Sequence, residues 1–113
     1  MPDRTLQRRR FPRYQADIPA TLYLATRVVE GRIVNISRGG CLFFPALSSE
    51  GSSAIKLSVQ LDDGLPSINC KGEIVYSIRD RGAGIAFREI SEYNLDRITA
   101  FFEGKLAATS AGA

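Results

Sequence analysis

The sequence predicts an all-β domain with one C-terminal helix, its six antiparallel strands curled into a small barrel. Three observations predict this. Apolar and polar residues alternate in six short runs between residues 17 and 88, the period of half-buried strands. No helical periodicity separates the runs, so neighbours joined by turns pair antiparallel. Helical spacing occurs only after Ser91. A chain of 113 residues suits one domain with one core, and a sheet of this length closes as a barrel.

The first strand is expected over Asp17 to Leu24, with Ile18, Ala20, Leu22 and Leu24 on one face and Thr21 and Tyr23 on the other. A connection near Ala25–Arg27 leads to a second strand over Val28 to Ile36. Asn35-Ile36-Ser37-Arg38-Gly39-Gly40 then reads as a turn, because Asn and Ser bond locally and paired glycines allow positive φ. Cys41 to Phe44 forms a short third strand, stopped by Pro45. After a serine-rich loop over Ala46–Ser53, Ala54 to Leu61 sets Ile55, Leu57, Val59 and Leu61 opposite Lys56, Ser58 and Gln60. Asp62-Asp63-Gly64 makes a tight turn. Ser67 to Ile78 is a long strand with Ile68, Cys70, Ile74, Tyr76 and Ile78 expected on one side. Arg79-Asp80-Arg81-Gly82 is a hairpin turn, and Gly82 to Phe87 closes the β part. Ser91 is an N-cap with Glu92 in the first turn. Leu95, Ile98, Phe101 or Phe102, and Leu106 recur at helical spacing behind it.

Charge is distributed unevenly. The net charge is +3, yet residues 1–13 alone hold five arginines and one acid, leaving a balance of −1 elsewhere. Four of those arginines fall within Arg8-Arg9-Arg10-Phe11-Pro12-Arg13. They repel one another unless an anion meets them. Arginine's planar fork suits phosphate oxygens, the O6/N7 edge of guanine, or stacking on a base. Basicity confined to one arm implies a local anion site and not a polyanion-binding surface.

Other chemistries are poorly supplied. The absence of histidine removes Ser–His triads, His-ligated metal and an imidazole base. Cys41 and Cys70 stand far apart in apolar runs and read as small core residues, without a CxxC for zinc. Asp62 and Asp63 belong to a turn, and Gly82-x-Gly84 is too short for a dinucleotide fingerprint. The expectation is no metal, no cofactor and no enzymatic activity. No run approaches the ~18 apolar residues of a membrane span. The segment after Arg-Arg-x-Phe carries Asp17 and Pro19, which an export signal would not. A cytoplasmic location is therefore expected.

Two segments remain with chemistry to offer: Arg9-x-x-x-Arg13, and Asn35-x-Ser37-x-x-Gly40. Together they supply anion donors, an amide, a hydroxyl and backbone N–H groups, a set suited to a ligand with both phosphate and purine. On these residues the sequence resembles the PilZ domain family, receptors for the bacterial second messenger cyclic di-GMP. The family signature, RxxxR followed by [D/N]xSxxG, is filled at every position. The resemblance extends over residues 8–106, taking in Cys70-Lys71-Gly72-Glu73-Ile74-Val75, Gly82-x-Gly84-Ile85-x-Phe87 and the closing helix.

The resemblance implies a six-stranded barrel of the PilZ split-barrel type. Its expected parts are an arginine arm over 8–16, a barrel over 17–88 and a helix over 91–106, with flexible ends at 1–7 and 107–113. It implies that Arg9 and Arg13 grip phosphates and guanine, that Asn35 and Ser37 bond a guanine, and that Gly40 keeps the turn open. Arg8, directly before RxxxR, goes in such domains with an intercalated ligand dimer. Arg10, Arg38, Gly39 and Gly84 are additional candidate contacts. The implied role is an adaptor whose arm is ordered by ligand and signals to an unidentified protein partner in motility, exopolysaccharide and biofilm, or virulence control. It is expected to act as a monomer or weak homodimer without binding DNA or RNA. Two other readings stay open: a small β-barrel nucleic-acid binder, and a PilZ-like interaction domain without ligand.

Overall fold

The computed structural model describes residues 12–47 and 54–112. Among these residues six strands, β1 (Tyr14–Tyr23), β2 (Val28–Ile36), β3 (Gly40–Phe44), β4 (Ala54–Val59), β5 (Ile68–Ile78) and β6 (Gly82–Glu89), precede one helix, α1 (Glu92–Gly112). Every pairing is antiparallel, and the order β1-β2-β3-β6-β5-β4 closes on itself through β1 and β4. Closure leaves the sheet no free edge.

Alternation dictates the interior. Ile18, Ala20 and Leu22 of β1, Ile33 and Ile36 of β2, Phe43 of β3, Leu57 and Val59 of β4, and Ile68 of β5 all point inward and are buried. Cys41 and Cys70 join them as free thiols. Desolvation pushes Cys70 up to about 11 and raises Cys41 further. Both remain protonated in neutral solution.

Helix α1 covers one side of the barrel. Ser91 caps it, accepting the Asn94 N–H on its hydroxyl at 3.1 Å and the Leu95 N–H on its carbonyl at 3.0 Å. Ile98 and Phe102 are buried against the barrel, with Phe101 packed at the margin. Phe102 stacks on Tyr14 with ring centroids 5.0 Å apart and planes 5° from parallel. The Tyr14 hydroxyl donates to Glu103 at 2.9 Å. A second tie joins α1 to the β4–β5 connection. Arg97, buried, donates two hydrogen bonds to Asp63 at 3.0 and 3.1 Å, one to the Pro66 carbonyl at 2.8 Å and one to the Asn94 side chain at 3.1 Å. These bonds hold the Asp63 carboxyl below its ordinary value.

The structure departs from the expected boundaries in three places. The barrel begins at Tyr14, inside the expected arm over 8–16, because Tyr14 pairs with Ile36 while its ring is buried on Phe102. Helix α1 runs to Gly112, past the expected end at 106; alanines 107 and 108 favour its continuation. On β5, Tyr76 and Ile78 are exposed and not inward. A bulge between Ile74 and Tyr76 resets the phase of the strand. Residues 1–7 and Arg8, Arg9 and Arg10 of the arm lie outside the described residues, as does Ala113.

Candidate ligand-binding site

The strand register draws one line across the outside of the barrel. Gln15 of β1 faces Asn35 of β2, Asn35 faces Leu42 of β3, Leu42 faces Gly84 of β6, and Gly84 faces Tyr76 of β5. Two bulges aim this row outward. On β2, Ile33 and Ile36 are both buried although three residues apart. Val34 is the extra residue between the Ile33–Phe43 and Asn35–Leu42 pairs, and it turns Asn35 to the outer face. On β5, Val75 is extra and turns Tyr76 outward in the same way.

The result is a cleft of about 370 Å³. Leu42 and Gly84 form its floor and Tyr76 one wall. Asn35 and Ser37 form the polar wall, with Arg13 at the rim where β1 begins. Among the described lining residues, Arg13 alone carries charge. It is exposed. Gly84 makes room for the Tyr76 ring as it lies: a Cβ built on it would stand 2.3 Å from that ring.

The turn from Ser37 to Gly40 holds itself. The Gly39 N–H donates to the Ser37 hydroxyl at 3.1 Å, and the Ser37 N–H donates to the Gly40 carbonyl at 2.8 Å. Phe87 N–H on β6 donates to the Gly39 carbonyl at 3.0 Å. The Ser37 hydroxyl accepts within the turn, and its own proton is left to donate outward. The expected positive φ at the paired glycines is not found; among the described glycines it occurs at Gly64 and Gly82. Gly40 is required for another reason. A Cβ there would come 2.2 Å from the Ile85 carbonyl oxygen across the β3–β6 pair.

Of the sequence-derived candidates, the structure brings together Arg13, Asn35, Ser37, Gly39, Gly40 and Gly84. It does not bring Arg38. That side chain turns away to α1, where it donates to Glu92, Asp96 and Thr99. Tyr76, Val75 and Leu42 are lining residues that sequence reasoning missed. Only the bulge at Val75 reveals Tyr76, since strand alternation carries no sign of a bulge; alternation does turn Leu42 outward, but only the register sets it beside Asn35 and Gly84. A larger cleft of about 740 Å³ lies between β1 and α1, with Arg13 on its edge as well. Its walls include Ile18, Pro19, Phe101 and Phe102, and it lacks the Asn–Ser turn.

The PilZ domain family model matches residues 7–104, and the chain belongs to that family. Solved structures share the fold. Bacillus subtilis MotI/DgrA, an inhibitor of motility, superposes with a TM-score of 0.76 at 18% identity, over 90% of this chain and 52% of that one. The PilZ domain of Escherichia coli YcgR with c-di-GMP gives 0.73 at 17% identity, over 95% of this chain and 100% of that domain. A structure of E. coli YcgR in complex with c-di-GMP gives 0.70 at 21% identity, over 93% and 50%. This chain thus spans about half the length of MotI/DgrA and of YcgR, and the whole of the isolated YcgR domain. No curated protein matches the chain. Among the described residues, no helix is long and apolar enough to cross a membrane.

Proposed function

We infer that this PilZ domain is a cytoplasmic receptor for cyclic di-GMP. One observation carries the reading: Arg13, Asn35 and Ser37 converge on one shallow cleft, at the point where the arginine run Arg8–Arg13 joins the barrel. Each has a part suited to one face of the ligand. Arg13, with Arg9 four residues earlier, meets phosphate oxygens and the acceptor edge of guanine. The Asn35 amide and Ser37 hydroxyl bond a guanine edge. Leu42, Gly84 and the Tyr76 ring provide a flat apolar seat for a base. Arg8 directly before the RxxxR pair adds a further fork and supports two intercalated ligand molecules per chain.

Binding then brings the arm against the barrel. The gain in charge-assisted bonds and stacking must exceed the entropy lost when the arginine side chains are fixed on the ligand. Output is a changed surface for a protein partner, without chemistry on the ligand. Calorimetry with cyclic di-GMP tests this reading. Saturable heat at two molecules per chain is expected. No heat at high micromolar ligand overturns the assignment, and saturation at one per chain overturns the dimer.

A further inference from the structure

Arg38 stands inside the recognition turn, between Ser37 and Gly39, yet its side chain leaves the cleft. One terminal nitrogen donates to Asp96 Oδ1 at 3.1 Å and to Thr99 Oγ1 at 3.0 Å; the other donates to Glu92 Oε2 at 3.2 Å. Residues 92, 96 and 99 lie on one face of α1, at the spacing of successive turns. The Arg38 side chain is 24% exposed, against 82% for Glu92 and 72% for Asp96. The guanidinium is the sheltered partner, pressed between turn and helix.

Besides the internal Gly39–Ser37 bond, the turn has two other anchors: the Ser37–Gly40 bond that closes it onto β3, and the Phe87–Gly39 bond from β6. Both connect it to strands that themselves line the cleft. Arg38 alone of the three reaches α1, which supplies none of the described lining residues of the cleft. A planar fork on three acceptors fixes direction as well as distance, which a lysine ammonium would not.

Resting on the reading that this cleft takes cyclic di-GMP, we propose that Arg38 is a positioning residue that ties the recognition turn to the first two turns of α1. It couples ligand binding to the helix through the turn and does not touch the ligand. A turn already held in place loses less freedom when Asn35 and Ser37 engage, so affinity rises. Linkage is reciprocal: whatever bound ligand does for the turn, it does for the helix. A partner gripping the start of α1, where Tyr93 is 64% exposed, would shift affinity for the messenger by the same factor. Ion pairs with exposed carboxylates are weak, so the coupling is about two- to fivefold in affinity.

The test uses four forms of the full chain: wild type, Arg38→Ala, the helix triple Glu92→Ala/Asp96→Ala/Thr99→Val, and the combination. Arg38→Ala and the triple should each weaken cyclic di-GMP binding about two- to fivefold, and the combination should weaken it no further. Amide exchange without ligand should quicken at the Ser37 and Phe87 N–H groups in all three variants. Leu57 and Ile68, in the core strands, should keep wild-type protection. Additive losses overturn the proposal. So does a triple that binds as wild type or tighter while Arg38→Ala weakens, which would put Arg38 on the ligand. Unchanged exchange at Ser37 and Phe87 overturns it whatever the affinities. A wild type that binds no cyclic di-GMP removes the functional reading, and the exchange rates then decide the tie by themselves.

Discussion

The Tyr76 ring lies over Gly84, its in-register partner on β6, so closely that a methyl group on Gly84 would stand 2.3 Å from ring carbon Cε2. Tyr76 is half exposed and free to swing outward. Gly84→Ala should therefore lower stability by under about 1 kcal/mol while displacing the wall of the cleft. Affinity for cyclic di-GMP should fall about tenfold, or ~1.4 kcal/mol. Calorimetry beside a thermal melt checks it. A lowered Tm with unchanged affinity would remove Tyr76 from the site.

At Gly40 the larger effect should fall on stability. Its missing Cβ makes room for the Ile85 carbonyl oxygen, 2.2 Å from where that atom would be. Backbone cannot yield as a flexible ring can. Gly40→Ala should cost about 2 kcal/mol or more of stability, visible in urea unfolding before any ligand is added.

Arg13→Ala and Arg9→Ala should each lose about 1–3 kcal/mol of ligand binding. Arg13 is exposed, so the melting curve of its variant should match wild type. Arg8→Ala should change stoichiometry from two ligands per chain to one. Full affinity in both Arg9 and Arg13 variants would dismiss the arm from binding.

The Arg97–Asp63 pair predicts a pH dependence. Hydrogen bonds from Arg97 are the main cause of the lowered Asp63 value, below the ordinary 3.8. A carboxylate held low in the folded state stabilises it above its unfolded value, and that contribution disappears as pH falls through the folded value. Wild type should lose stability below about pH 4, and Asp63→Asn should flatten that part of the profile. Asp63→Ala, which leaves Arg97 buried without its partner, should cost about 3 kcal/mol at neutral pH. An acid limb of the same slope in wild type and Asp63→Asn would show that other carboxylates set it.

Cys41 and Cys70 are 8% and 7% exposed, and burial raises both thiols. Thiolate is the reactive form. A neutral alkylating reagent at pH 7 should label neither in the native protein and both in urea. Rapid native labelling would mean that the barrel opens readily at these strands.

Much of the candidate site was legible before folding was considered. The RxxxR and NxSxxG spacings name Arg13, Asn35, Ser37 and Gly40 as one set, because few ligands need forked cations, an amide and a hydroxyl together. Tyr76 was not legible. Strict alternation puts it beside Ile74 on the inner face, and the bulge at Val75 reverses that. Arg38 was equally hidden. Its place between two cleft residues suggests a contact, while its actual partners are 54 to 61 residues away on α1.

Local chemistry written along the chain determined six alternating strands, a capped helix, a charged arm and a polar turn. Hydrophobic period and turn residues act over a few neighbours, so they can be read without coordinates. Tertiary structure decided which side chains share a cleft and which are drawn elsewhere. Barrel closure fixes the register, register shifts reset the faces, and the docked helix takes up Arg38 and Arg97. Those outcomes depend on partners distant in sequence, which no local pattern encodes.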